Sequence, residues 1–461
     1  MAKNTLDFSS LGEEFFSPIE TQPLSSPFLI HKNQALYEQL NLSMSDADLL
    51  GVASGEQQFQ STQPIASIYA GHQFGHFVSQ LGDGRSCLIG QTQGRELSLK
   101  GAGPTPYSRN ADGRAVLRSS IREYLCSIAM KGLNIATTEA LTLVGSETEV
   151  CREQIETGAI VLRTAPSHIR FGHFELFASR GQTKQVKRLA DFVIERHYPH
   201  CQGKNRYVDF LSEVVKRTAT MIAGWQAQGF SHGVMNTDNM SIVGLTIDYG
   251  PFGFLETYNP KFICNHSDHE GRYAFEQQPG IALWNLSRLT DSLGSLVTDQ
   301  QAKSALDSYQ THLVEAYSKL MRKKFGLVEK DDQDNVLIGQ FFEVLYKNQK
   351  DCTNSLRQLN DVDALSKDSD FSDWLVLYDK RITQEQSSNR IELMNSVNPK
   401  YILRNYLAEV AIRKAQDEKN YTEINTLFNL LSQPFGEHPD LTAYTNEAPS
   451  WAQGLEVSCS S

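Results

Sequence analysis

Polar and apolar residues alternate along Glu96-Leu97-Ser98-Leu99-Lys100, which predicts a strand with Lys100 at its end. A loop rich in Gly and Pro, GAGPTPYSRNADGR, follows. The period then changes: Leu117, Ile121, Tyr124, Leu125 and Ile128 recur at helical spacing, so residues 115–130 are expected to form a helix buried along that stripe. Glu123 lies beside the stripe, where a carboxylate needs a cationic partner, and Lys100 is the candidate. Residues 136–144 and 160–165 read as further strands, with Arg163 inside the second, a costly place for an unpaired guanidinium. From Phe174 on the pattern is helical, over 191–197 and 208–228 and, beyond about Gly280, over 302–325, 337–348 and 402–418. Residues 1–60 mix Pro-containing loops with a short helical piece over 33–42 and read as an N-terminal wrap.

Composition narrows the function classes. The chain has 461 residues, 40% hydrophobic and 21% charged, with a net charge of −11. That balance speaks against a general nucleic-acid binder or membrane-surface protein, so positive charge matters residue by residue. No apolar run is long enough to span a bilayer, and the opening MAKNTLDFSSLGEEFFSPIE lacks an apolar signal core, so a cytoplasmic setting is expected. The seven cysteines form no CxxC pair, which gives neither a zinc spacing nor a disulfide framework. His72 and His76 are four apart, but Gly71 and Gly75 disfavour a helix there, and both histidines read as structural.

The stretch from Gln228 to Gly253, QGFSHGVMNTDNMSIVGLTIDYGPFG, carries the most chemistry. It is expected to leave a helix, present Asp238 and Asn239 on a loop, pass through a short apolar strand and deliver Asp248. That is the layout of a kinase-like catalytic loop followed by a metal-binding Asp. In small-molecule kinases the residue two after the loop His is an Asp that serves as base; here that position is Val234, in His232-Gly233-Val234. A valine accepts no proton. Either the chain performs no group transfer, or the base has moved to Asp238 and the reacting phosphorus with it.

The remaining candidates are cations and glycines. Gly82-Asp83-Gly84-Arg85 is either an ordinary turn or a loop whose backbone approaches a phosphate, with Arg85 beside it. Asp112, before Gly113 and Arg114, reads as an N-cap of the following helix, whose free amides would face an anion. Lys100, Arg163, Arg170 and Arg85, together with metal ligands Asn239 and Asp248, suit a nucleoside triphosphate bound with a divalent cation. So many cations suggest that the terminal phosphates are held rather than transferred. The α-phosphorus is then the one open to attack, pyrophosphate leaves, and the product is an AMP ester.

The segments LGDGR, SLKGAGPTPYSRNADGRAVLRSSIRE, LRTAPSHIRFGHFE, HGVMNTDNMSI and IDYGPFGF resemble the selenoprotein O family of kinase-like proteins, as do FICNHSD and the final Cys459-Ser460-Ser461. The resemblance implies a bilobal protein-kinase-like α+β fold with a mixed or antiparallel N-lobe sheet and a mainly helical C-lobe with a helical C-terminal extension. Residues 1–165 would be the N-lobe with its wrap, 166–290 the C-lobe and 291–461 the extension. It further implies transfer of AMP from ATP, bound inverted relative to ordinary kinases, to Ser, Thr or Tyr hydroxyls of proteins, with UMP transfer also open. Gly82, Gly84, Arg85, Lys100, Asp112, Gly113, Arg163 and Arg170 would contact ATP, and Glu123 would pair with Lys100. Asp238 would be the base, and Asn239 and Asp248 would hold Mg²⁺ or Mn²⁺. Cys264, in the loop after Asp248, and Cys459, on the tail, are expected to form a reversible disulfide. The alternatives are an atypical phosphotransferase moving the γ-phosphate, a catalytically inactive ATP-binding pseudokinase and, more remote, a metal-binding helical scaffold. Neither nucleic acid nor membrane is an expected partner.

Overall fold

The computed structural model describes residues 6–452, 454, 455 and 457. Its sheet is built from β1 (Phe16–Pro18), β2 (Phe28–Lys32), β3 (Ile65–Gln73), β4 (His76–Gly82), β5 (Ser86–Thr92), β6 (Arg95–Lys100), β7 (Ala115–Val116), β8 (Glu139–Cys151) and β9 (Ile155–Ala165). The strand order is β1-β3-β5-β6-β9-β8-β2, with β4 paired to β3 and β7 to β9. All of these pairings are antiparallel. The fold is α+β, as the resemblance implies.

The helices within and just after the sheet region are α1 (Gln34–Gln39), α2 (Asp46–Ala53), α3 (Leu117–Gly132), α4 (Phe171–Ser179), α5 (Thr183–His197) and α6 (Arg206–Gln228). Then come α7 (Gln278–Ser292), α8 (Asp299–Lys324), α9 (Asp334–Lys347), α10 (Cys352–Gln358), α11 (Val362–Leu365), α12 (Ser372–Ile382), α13 (Arg390–Asn395), α14 (Asn405–Asp417) and α15 (Thr422–Ser432). Among the described residues no helix is long and apolar enough to cross a membrane.

Side-chain alternation divides the sheet into two buried faces. Leu97, Leu99, Ile160 and Leu162 point to one, where Leu36 of α1, Leu40 at its C-cap, and Leu49 and Val52 of α2 cover them. Ala159 and Val161 point to the other, against Leu117, Ile121, Tyr124 and Leu125 of α3. The N-terminal wrap enters that second core, where Phe8 and Phe15 pack against Phe192 and Phe177. The expected wrap is thus an integral part of the interior. A separate cluster joins α8, α9, α10 and α12 around Phe325, Phe341 and Trp374.

Two local expectations are corrected. The helix expected from residue 115 begins at Leu117, because Ala115 and Val116 pair with Ala159 and Gly158 of β9. Val116, in an extended conformation, is therefore its N-cap, and Asp112 is not. The apolar strand expected between Asp238 and Asp248 does not form. That segment is clipped to two different neighbours, Met240 and Ile242 to Phe171 and Ile169, and Thr246 to Ala136 and Thr138, with a turn at Gly244 (φ +75°) between them. A residue chain divided between two partners makes no continuous ladder.

Candidate active site

Lys100 and Arg163 reach the site because the sheet register puts them on one face. Ser98 stands opposite Arg163 and Ser86 opposite Lys100, so the two cations are diagonal neighbours on the α3 side. There both meet Glu123: Lys100 Nζ donates to Oε2, and Arg163 Nη1 donates to Oε1 at 3.0 Å. The pairing expected from sequence forms, and it is shared with Arg163. Burial pulls the Lys100 ammonium below its usual value, against the support of Glu123 and Asp248.

Asp248 closes the cluster from the other side. Its Oδ1 accepts from Arg163 Nη1 at 2.6 Å and lies 3.6 Å from Lys100 Nζ, while Oδ2 accepts from Arg170 Nη1. Burial alone would raise the Asp248 carboxyl, but Arg170, then Lys100 and Arg163, hold it well below the usual range. Its backbone has φ +58°, a left-handed conformation rare outside Gly, Asn and Asp and concentrated where a site over-determines the chain.

Arg170, the N-cap of α4, also donates to the Asp238 carbonyl at 2.8 Å, and its Nη1 lies 3.5 Å from Asn239 Oδ1. One cationic nitrogen thus gathers Asp248 Oδ2 and Asn239 Oδ1, two hard oxygen donors of the kind that divalent Mg²⁺ or Mn²⁺ takes. Asn239 Nδ2 donates to Val234 O at 3.1 Å, which fixes the amide with Oδ1 on that side. Together the donor set fits the expected metal position.

Asp238 is the unusual member. It is buried, its Oδ2 accepts from Gln73 Nε2 at 3.2 Å, and its Oδ1 has no partner among the described residues. Burial raises its carboxyl to about 6. The room it occupies depends on Gly71 of β3, where a Cβ would come within 2.6 Å of Oδ1. Behind it, Thr237 Oγ1 donates to Glu175 at 2.5 Å and accepts from His72 N at 2.7 Å, and the His72 ring bonds the same Glu175 at 2.8 Å. His72 is therefore structural, as expected. Among the described residues no group of three His, Cys, Asp or Glu side chains is disposed to hold a metal ion.

Lys100, Arg170, Asp238, Asn239 and Asp248 line a cavity of about 650 Å³, within the range of small-molecule sites, together with Gly82, Gly84, Arg85, Asp112 and Gly113, whereas Arg163 and Glu123 are buried and do not line it. The Gly82–Arg85 segment is no simple hairpin, since β4 and β5 each pair with β3. Asp83 anchors it through Ser67, accepting from its N at 3.0 Å and its Oγ at 2.6 Å. A Cβ at Gly82 would strike the Tyr107 ring and one at Gly84 the Tyr107 carbonyl, so these glycines let two loops stack at the cavity wall. Gly113 has φ +65°, and a Cβ there would lie 2.2 Å from Gly103. Asp112 forms a forked pair with Arg152, at 2.7 and 3.0 Å, and accepts from Arg114 N at 2.9 Å, so it braces the loop.

Sequence reasoning missed Gly71, Tyr69, Gln73, Asn236 and Arg152. Asn236 sits inside the recognised loop and had a local signal. Arg152 had none, because its partner Asp112 is 40 residues away. Of the expected disulfide, Cys264 is buried and free, its Sγ donating to Ser231 O at 3.5 Å. Cys459 lies outside the described residues, so the pairing is not described either.

Residues 2–432 match the family described as protein adenylyltransferase SelO. This chain belongs to that family. It is 48% identical over 474 residues to the protein nucleotidyltransferase YdiU of Aliivibrio salmonicida, covering 98% of each chain. Similar proteins of the same name occur in Albidiferax ferrireducens, at 47% identity with 98% of this chain and 96% of the other covered, and in Vibrio cholerae, at 47% with 98% of each. The SelO match takes in every residue of the cluster described above, from Gly82 to Asp248.

Proposed function

We propose that this chain transfers the AMP moiety of ATP to hydroxyl side chains of proteins, Ser, Thr or Tyr, and releases pyrophosphate. The observation that carries the proposal is Asp238: a buried carboxylate with one oxygen unpartnered among the described residues and a pKa of about 6, beside Asn239 and Asp248, where Val234 stands at the usual kinase base position. A carboxylate poised near neutrality suits proton abstraction. In the step proposed, the acceptor hydroxyl oxygen attacks the α-phosphorus as its proton passes to Asp238. The bond from the α-phosphorus to the bridging oxygen breaks, and pyrophosphate leaves with the electron pair. Lys100, Arg163 and Arg170, with Arg85 at the rim, meet the charge that grows on the leaving group. Asn239 and Asp248 would hold Mg²⁺ or Mn²⁺, which when bound supplies further neutralisation of phosphate charge.

Gly82, Gly84 and Gly113 would keep the cavity wall close to the nucleotide, with Asp112 holding their loop in shape. Glu123 positions Lys100 and Arg163. With the β and γ phosphates on the buried cations, ATP lies inverted relative to a kinase. The bilobal, kinase-like division with boundaries near 165 and 290 is part of the same reading, supported by the Lys–Glu pair between sheet and helix and by the loop carrying Asp238, Asn239 and Asp248.

The test uses ATP labelled separately at the α and γ phosphates, with wild type, Asp238→Asn and Asp248→Ala. The expected result is α-label on protein with wild type and its loss in both variants. Label from the γ position, or α-label undiminished in Asp238→Asn, overturns the assignment.

A further inference from the structure

The mouth of the cavity carries apolar surface that the chemistry of transfer does not use. Hairpin β3–β4 turns at Phe74 and Gly75, both at positive φ, and its tip projects beyond Gln73, the residue that holds Asp238. Phe74 is 37% exposed and Phe77 42% exposed, a large exposure for phenylalanine. The tip is held rigidly: Phe74 N donates to Tyr273 Oη at 3.0 Å and to Asn236 Oδ1 at 3.2 Å. Phe77 packs on His72, 5.0 Å between ring centroids, and His72 meets Trp284 edge-on at 5.2 Å.

Arg272 lies at the same place. Its guanidinium sits 4.8 Å over Trp284 and would lie 3.3 Å from a Cβ at Gly75, directly beneath the hairpin tip. Among the described residues its Nε is buried without a hydrogen-bond partner, and no ion pair includes it. Asp268, on its own loop, is occupied by the amides of Arg272 and Tyr273, at 3.0 and 2.7 Å. A chain of net charge −11 therefore keeps, between the rings of Tyr273 and Trp284 at the edge of its transfer site, a cation with no ion-pair partner among the described residues.

We infer that this ledge is the docking site for the acceptor segment of the protein substrate, taking an apolar side chain on Phe74 and Phe77 and an acidic side chain on Arg272. The inference rests on the transfer reading above. Continuity with the cavity fixes the occupant: Phe74 and Gln73 line the same space as Asp238, so a hydroxyl held at Asp238 brings its flanking residues over the hairpin tip. An aromatic shelf and a cation select opposite chemistries at neighbouring positions, which sets sequence preference around the hydroxyl.

The test is steady-state transfer of α-label to synthetic peptides carrying one Ser, Thr or Tyr. Glu or Lys is stepped along the flanking positions beside a Phe or a Ser. Wild type is expected to favour the Glu peptide at one position by roughly threefold or more in kcat/KM, mostly through KM, and to lose the preference as salt rises. Arg272→Glu reverses the charge preference and Arg272→Gln levels it, so either variant that folds carries the test. Phe77→Ala removes the preference for Phe over Ser. A Glu to Lys ratio unchanged in both Arg272 variants overturns the inference while transfer stands. Absence of α-label on every peptide and on the protein itself overturns the transfer reading and the inference with it.

Discussion

Asp238 is held in conflict. The folded protein keeps its proton up to about pH 6, whereas an unfolded chain releases it near 3.9. Protons are therefore bound more tightly in the native state, and stability falls as pH climbs between those two values. Above about pH 6 the charged group costs the fold on the order of 2–3 kcal/mol, an upper figure for a single site. Asp238→Asn is accordingly expected to raise the melting temperature at pH 7.5, with the gain shrinking towards pH 4, while transfer is lost and ATP still binds. Denaturation curves at the two pH values check the first part. The same titration predicts that kcat/KM of the wild type rises with pH through about 6. Gain of stability on loss of the proposed base would be the mark of a group retained for its chemistry. At this scale much was legible beforehand. Lys100, Arg163 and Glu123 converge because strand alternation and helical spacing dictate their faces, whereas Arg170, Asn239 and Asp248 lie at a helix cap, in a short turn and on a loop, and were legible only from their motifs. Gly71 was not legible, since nothing in the sequence separates a glycine that makes room for a carboxylate from one that makes a turn.

Among elements, α3 links the cluster of Lys100, Arg163 and Asp248 to the rest of the fold. One side brings Glu123 to Lys100 and Arg163, and the helix is also packed by α14 and α15. Arg122, next to Glu123, donates to Phe252 O at 2.8 Å and to Asn405 Oδ1 at 3.3 Å. At the far end of the helix, Gly132 lies so close to α15 that a Cβ would fall 2.1 Å from the Leu431 carbonyl. Gly132→Ala must force the two helices apart, at a cost of about 1–3 kcal/mol for overpacking. Transfer should fall with stability, because Glu123 shifts along with its helix; urea melts beside α-label assays check both. The periodicity of α3 announces a buried stripe without saying what buries it. A partner 283 residues away leaves no trace in a local window. Local windows also mislead where one residue has two callings, as at Ala115 and Val116, taken by β9 before the helix can use them.

For the whole molecule, the principal core does not follow chain order. Phe8 and Phe15, the β9 residues Ala159 and Val161, and Ile402, Leu403, Leu407, Ile412, Ile424, Leu427 and Leu431 belong to one buried cluster. A chain ending before α14 would expose the backs of α3 and of its neighbours to water. We expect such a truncation, after Asn398 for example, to be poorly soluble and to show no thermal stabilisation by ATP, where the full chain is expected to show one, as differential scanning fluorimetry would reveal. Arg404, 1% exposed in its side chain and bonded to Asp351 at 2.6 Å, ties this returning segment to α10 and to Glu256. The grip of α14 and α15 on α3 also orders events in time. On a ribosome the strands and loops that bear Lys100, Arg163, Asp238 and Asp248 emerge long before the helices that brace Glu123. A nascent or proteolytically shortened chain thus holds every reactive group and yet no braced site. Competence for transfer is therefore expected only once α14 and α15 have been made and have folded back on α3, so that an unfinished copy is silent rather than indiscriminate.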